Sequence, residues 1–194
     1  MVSQLISFVY STRVWSLARS VERRTQIPIK YSLFIPYTVQ AASEKSGKKV
    51  QLANLLCNGN YAVSGDAEAC DAVMEMAKPE FKARMAIRLA VAGAFHTDFM
   101  KPAVSSLQEV LEKVDLQKPR IPVVCNVDAK PHSDPDTIKQ LLMTQVTAPV
   151  QWETTMNDML ANGYKSGYEL GPGKVITGIL KRVSKEAAME NVEV

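Results

Sequence analysis

The sequence predicts an α/β fold in which strands alternate with helices around a mainly parallel sheet. Three observations carry that expectation. Short β-branched runs bounded by Gly, Pro or Asn recur between stretches whose apolar residues fall at helical spacing. Apolar residues make up 46% of the 194 and charged residues 22%, a globular balance that excludes disorder, collagen and coiled coil as the main state. No run of 18 apolar residues occurs, so no membrane span is expected.

The first part of the chain reads differently from the rest. Residues 1–39 hold Arg13, Arg19, Arg23, Arg24 and Lys30 against Glu22 alone, whereas the other 155 residues hold 18 basic and 19 acidic side chains. The body is near neutral and lacks the basic face of a nucleic-acid binder, so no nucleic-acid partner is expected. Ser3, Ser7, Ser11, Ser16 and Ser20 interleave with apolar residues, the composition of an organelle transit segment. An exposed tail, or sequence foreign to the mature protein, is the alternative. A genuine leader implies a plastid or mitochondrion; otherwise the cytoplasm is expected. Pro28 and Pro36 would stop a long helix, and residues 41–49, small and charged, read as a linker or exposed turn. Residues 1–49 are thus expected to be an atypical leader or misassigned sequence.

From Val50 the elements follow in order. Residues 50–55 and 61–64 read as short strands around Asn58-Gly59-Asn60, a turn signal. Gly65-Asp66 opens a helix with Ala69, Cys70, Val73, Met74 and Ala77 on one face, stopped by Pro79. Residues 84–92 alternate and read as a strand. Met100, Val104, Leu107, Leu111 and Val114 fit one helix face. Residues 121–125, β-branched between Pro119 and Asn126, read as a buried strand. Ile138, Leu141, Leu142 and Gln145 mark a helix, with Asp134 as N-cap and Pro135 at its first position. Trp152, Met156, Met159 and Leu160 mark the next, closed by Asn162-Gly163. Residues 166–170 read as a strand. Val175, Ile176, Ile179, Leu180 and Val183 form the last helix, with Lys181, Arg182 and Lys185 near its C-terminal end.

Few residues stand out chemically. Cys57, Cys70 and Cys125 lie far apart and make neither a disulfide framework nor a metal-ligand pattern, so no metal is expected. His132, in a turn-rich loop, reads as exposed. His96, in Gly93-Ala94-Phe95-His96-Thr97, falls between an expected strand and an expected helix, the crevice edge where α/β proteins place their sites. Its imidazole is a usable general base; the alternative is a histidine satisfied by local backbone groups. No Gly-x-Ser-x-Gly elbow accompanies it. Cys57 is a conceivable nucleophile, an inert buried cysteine the simpler reading. Gly171-Pro172-Gly173-Lys174 either cradles an anion on helix N–H groups or makes a tight strand-to-helix turn.

Five segments, taken in order, then acquire meaning. They are Gly59-Asn60-Tyr61-Ala62-Val63-Ser64-Gly65, Gly93-Ala94-Phe95-His96-Thr97-Asp98-Phe99-Met100-Lys101-Pro102, Ile121-Pro122-Val123-Val124-Cys125-Asn126-Val127-Asp128-Ala129, Ala148-Pro149-Val150-Gln151-Trp152 and Glu169-Leu170-Gly171-Pro172-Gly173-Lys174-Val175. The set resembles the malonyl-CoA:acyl-carrier-protein transacylases of type II fatty-acid synthesis. The resemblance implies a partial hydrolase-like parallel-sheet subdomain plus part of an inserted ferredoxin-like small subdomain. Residues 50–92 would be the remainder of the small subdomain and 93–194 the C-terminal part of the large one.

The resemblance also implies ping-pong acyl transfer through a serine ester. His96 matches the base, Gln151 the residue whose backbone carbonyl orients it, and Phe95 a position that shapes the acyl pocket and favours malonyl over methylmalonyl. No bound cofactor is implied. Malonyl-CoA and the phosphopantetheine thiol of acyl carrier protein would be substrates, and the carrier protein the partner. The family's serine elbow, its Gln-rich oxyanion loop and its malonyl-binding arginine have no counterpart in residues 1–49. The resemblance therefore covers roughly the second half of the enzyme, and the chain is expected to be inactive alone. A second reading is a non-catalytic relative that keeps carrier or partner-subunit contacts, with Lys181, Arg182 and Lys185 facing an acidic partner.

Overall fold

Ordered secondary structure begins well before Val50. A computed structural model of the chain describes residues 24–30, 35–89 and 93–193. Its first elements are β1 (Arg24–Lys30), α1 (Ile35–Ser46), β2 (Val50–Cys57), β3 (Asn60–Asp66), α2 (Ala67–Ala77) and β4 (Met85–Ala86). They follow the β-α-β-β-α-β order of a split β-α-β unit, with an antiparallel sheet ordered β4-β1-β3-β2.

The linker expected over residues 41–49 is instead the second half of α1 and the turn beyond it. Ala42 is fully buried, in one core with Val50, Val63, Cys70 and Val73. Polar composition misled here because Ser43 and Ser46 return their hydroxyls to the carbonyls of Val39 and Ala42, at 2.8 and 2.7 Å. Serine so bonded sits inside a helix without seeking water. Gly47, at φ +64°, ends the helix. The leader reading is thereby corrected for residues 24–30 and 35–49; the transit-segment reading of residues 1–23 lies outside the described residues.

Beyond the sheet, a 3₁₀ turn (Asp98–Met100) leads into α3 (Lys101–Glu112). Then come β5 (Val123–Val124), β6 (Pro131–His132), α4 (Pro135–Thr144), β7 (Val150–Gln151), α5 (Trp152–Ala161), β8 (Ser166–Leu170), α6 (Val175–Val183) and β9 (Ala188–Val192). Asp134 caps α4 as expected, its carboxylate accepting from the Thr137 N–H at 2.8 Å and hydroxyl at 2.7 Å. A second core packs α3 on α4 through Met100, Leu107, Leu111, Ile138, Leu142 and Val146.

A mainly parallel sheet is the sequence expectation; among the described residues parallel pairing is confined to β7 on β2 and to β8 beside β9. The strand expected over 84–92 pairs at Met85–Ala86, and residues 90–92 lie outside the description. The buried strand expected over 121–125 is two residues of a small hairpin, with Ile121 61% exposed. No helix among the described residues is long and apolar enough to cross a membrane.

Candidate active site

His96 sits in a tight turn just ahead of α3 and takes φ +63°, the left-handed region that side chains bearing a Cβ disfavour. The turn is held from both ends. The Thr97 hydroxyl, fully buried, donates to the Ala94 carbonyl at 2.6 Å. The His96 N–H donates to the Val146 carbonyl at 3.1 Å. The ring Nδ1 lies 2.7 Å from the carbonyl oxygen of Gln145. A carbonyl only accepts, so Nδ1 carries the proton and the neutral ring keeps its lone pair on Nε2. Two consecutive carbonyls beyond the C-terminal end of α4 thus bracket one residue. That end of a helix is its negative pole, which favours an imidazolium.

Burial pushes the His96 pKa below the ordinary imidazole value, while the backbone of Gln145 and Ala148 opposes that shift. The ring is therefore neutral near pH 7 and able to take a proton.

Gln151 is not the partner of His96. It lies in β7, level with Leu55 of β2. Its N–H donates to the Asn126 carbonyl at 2.7 Å, and its own carbonyl accepts the Thr155 hydroxyl at 3.1 Å. The turn after β5 and the start of α5 engage the Gln151 backbone, and Gln145 supplies the carbonyl instead. Gln145 was visible as the polar member of an otherwise apolar helix face. It is 4% exposed, and its side-chain oxygen accepts from Asn126 Nδ2 at 3.3 Å. Phe95 is half-buried and packs against the α3–α4 core.

Asp98 ties the turn to the first sheet, a link that sequence reading missed. Its N–H donates to Gln51 Oε1 at 3.0 Å, and Gln51 Nε2 donates back to its Oδ2 at 3.2 Å. Lys49 Nζ reaches the same oxygen at 2.6 Å, and Lys101 Nζ reaches Oδ1 at 3.0 Å. The bonds from Lys49 and then Lys101 hold the Asp98 carboxyl down at about 2.

The other candidates resolve as structure. All three thiols are buried; burial pushes Cys57 up, Cys70 to about 12 and Cys125 to about 11, which removes them as ready nucleophiles. His132 is half-buried instead of exposed, with Nε2 2.8 Å from Asp128 Oδ2 in the β5–β6 hairpin. The anion-cradle reading of Gly171-Pro172-Gly173-Lys174 gives way to the tight turn. The helix N–H groups of Ile176 and Thr177 already donate to the Glu169 carboxylate, at 2.8 and 2.9 Å. Burial would raise the Glu169 pKa, but these bonds and the Thr177 hydroxyl at 2.6 Å outweigh it and hold the carboxyl below its ordinary range. Gly171 and Gly173 take φ +120° and +84° in the turn.

No family model matches the chain. The malonyl CoA-acyl carrier protein transacylase of Bacillus subtilis is 40% identical over 141 residues, covering 73% of this chain and 44% of that protein. Among solved structures, an acyl carrier protein S-malonyltransferase from Vibrio cholerae superposes with a TM-score of 0.83 at 30% identity, covering 94% of this chain and 60% of that one. A malonyl-transacylase solved in complex with a type II PKS acyl-carrier protein gives 0.84 at 29% identity, over 93% and 58%. The chain spans under half the length of the curated relatives it matches. With sequence and fold agreeing over most of its described elements, the chain belongs to the malonyl-CoA–acyl carrier protein transacylase family.

Proposed function

We propose that this polypeptide supplies the general base for transfer of a malonyl group from coenzyme A to the phosphopantetheine thiol of acyl carrier protein in fatty-acid synthesis. The observation that carries the reading is the 2.7 Å contact of His96 Nδ1 with the Gln145 carbonyl. It fixes the tautomer a base needs and does the work a carboxylate does in a Ser-His-Asp triad.

In the first half-reaction a serine hydroxyl attacks the malonyl thioester and gives its proton to His96 Nε2. The coenzyme A thiol leaves with that proton. In the second, the carrier thiol gives its proton to the same nitrogen and attacks the ester, and the expelled serine oxygen takes the proton back. The imidazolium formed in each half is stabilised by the Gln145 carbonyl and the end of α4. Phe95 beside the base favours malonyl over its α-methyl analogue, a discrimination of about 1–3 kcal/mol for one methyl.

No Gly-x-Ser-x-Gly elbow occurs in the 194 residues, so the serine comes from polypeptide beyond them and the chain is inactive alone. Intact mass after malonyl-CoA and then holo carrier protein tests both points. The chain by itself should gain no malonyl adduct. A protein that joins it to a serine-bearing first half should load the carrier, and His96→Ala should abolish that loading. A stoichiometric adduct on the chain alone would overturn the claim about the nucleophile. Loading that survives His96→Ala would overturn the claim about the base.

A further inference from the structure

We infer that Gln51 and Asp98 are positioning residues for His96: the Gln51 side-chain amide, held on β2, grips Asp98 and thereby sets the imidazole on the Gln145 carbonyl. The inference rests on the reading of His96 as the base.

A left-handed backbone at a non-glycine residue persists only where its surroundings over-determine it. On one side of His96 stand the carbonyls of Gln145 and Val146. On the other, two residues on, stands Asp98. Gln51 engages both its main chain and its side chain, accepting from the N–H at 3.0 Å and donating to Oδ2 at 3.2 Å. Only a carboxamide of that length both accepts and donates there: Glu lacks the donor, and Asn is one methylene short. Gln51 is itself fixed, paired with Ser64 of β3 within the five-stranded sheet. Thr97, fully buried between the two anchored residues, leaves little slack.

The lysines are a weaker part of the grip. Their side chains are 52% and 69% exposed for Lys49 and Lys101, and ion pairs so exposed contribute little and are screened by salt. Gln51, half-buried, is the specific element.

The chain contains two histidines, which makes the test clean. Imidazole ¹³C and ¹⁵N spectra of the full chain, followed through a pH titration, report the tautomer and midpoint of each ring. In Gln51→Ala the His96 midpoint should move up toward the ordinary value of about 6.5, with its Nδ1–H signature lost. His132, held by Asp128 in the separate β5–β6 hairpin, should not move. Lys101→Ala removes only an exposed ion pair, so it should leave His96 as in the parent chain. Should Gln51→Ala fail to fold, Gln51→Asn asks the same question with a shorter amide. An unmoved His96 in the Gln51 variant overturns the inference. So does a joint shift of both histidines, which would mean a change of the whole fold. The readout is the ring itself, so transfer that did not depend on His96 would remove the catalytic reading separately.

Discussion

The backbone carbonyl of Gln145 lies 2.7 Å from Nδ1 of His96, across 49 residues of sequence. The contact is made by main chain, so it does not depend on which side chain stands at 145. Gln145→Ala should therefore keep His96 in its Nδ1–H tautomer, read by imidazole ¹⁵N shifts. What it removes is the side-chain bond with Asn126 at 3.3 Å. One such bond is worth about 1 kcal/mol, which should appear as a lowered urea midpoint. Loss of the tautomer in this variant would show that the side chain, not the carbonyl, sets the ring.

Acid should destabilise the fold through the same residue. Burial depresses the His96 pKa, so the folded chain binds this proton less readily than the unfolded one. Its contribution is present in full above the unfolded value of about 6.5. It is lost as pH falls through the folded value. Unfolding free energy should thus rise with pH across that window. In His96→Gln, which cannot titrate, the slope should flatten. An unchanged slope would assign the pH dependence to another group.

How much of this was legible in sequence depended on how local each feature is. The helices from Ala67 to Val183 declare themselves through apolar periodicity and caps, because both are properties of neighbouring residues. Helix α1 did not, because serines that bond back to their own turn look like linker. His96 was found from its motif. Its carbonyl partner was placed at Gln151 instead of Gln145, since a main-chain acceptor leaves no mark on residue identity; the polar Gln145 on an apolar face was the available clue. The Gln51–Asp98 link spans 47 residues between two ordinary polar side chains, and only the fold brings them together.

Gly65 offers a test of how firmly the first sheet fixes the site. A Cβ built there would lie 2.3 Å from the Lys49 carbonyl oxygen and 2.6 Å from the Val50 Cα, both backbone atoms that no side-chain rotation can move. In an open strand, replacing Gly by Ala tends to help, through reduced freedom of the unfolded chain. Here the sign should reverse, with a loss of about 1–3 kcal/mol from overpacking. The urea midpoint should fall with the slope unchanged. The displaced residue is also the one whose N–H donates to Asp66 Oδ2 at 3.1 Å and whose Nζ meets Asp98 at 2.6 Å. If the start of β2 retreats, Lys49 is drawn off Asp98, and the Asp98 carboxyl should titrate above its value of about 2 in the parent chain. Asp98 rising together with the loss of stability would show that strain at Gly65 reaches the His96 turn. Asp98 staying low while stability falls would show that the long Lys49 side chain absorbs the shift, leaving Gln51 as the sheet's rigid connection to the base.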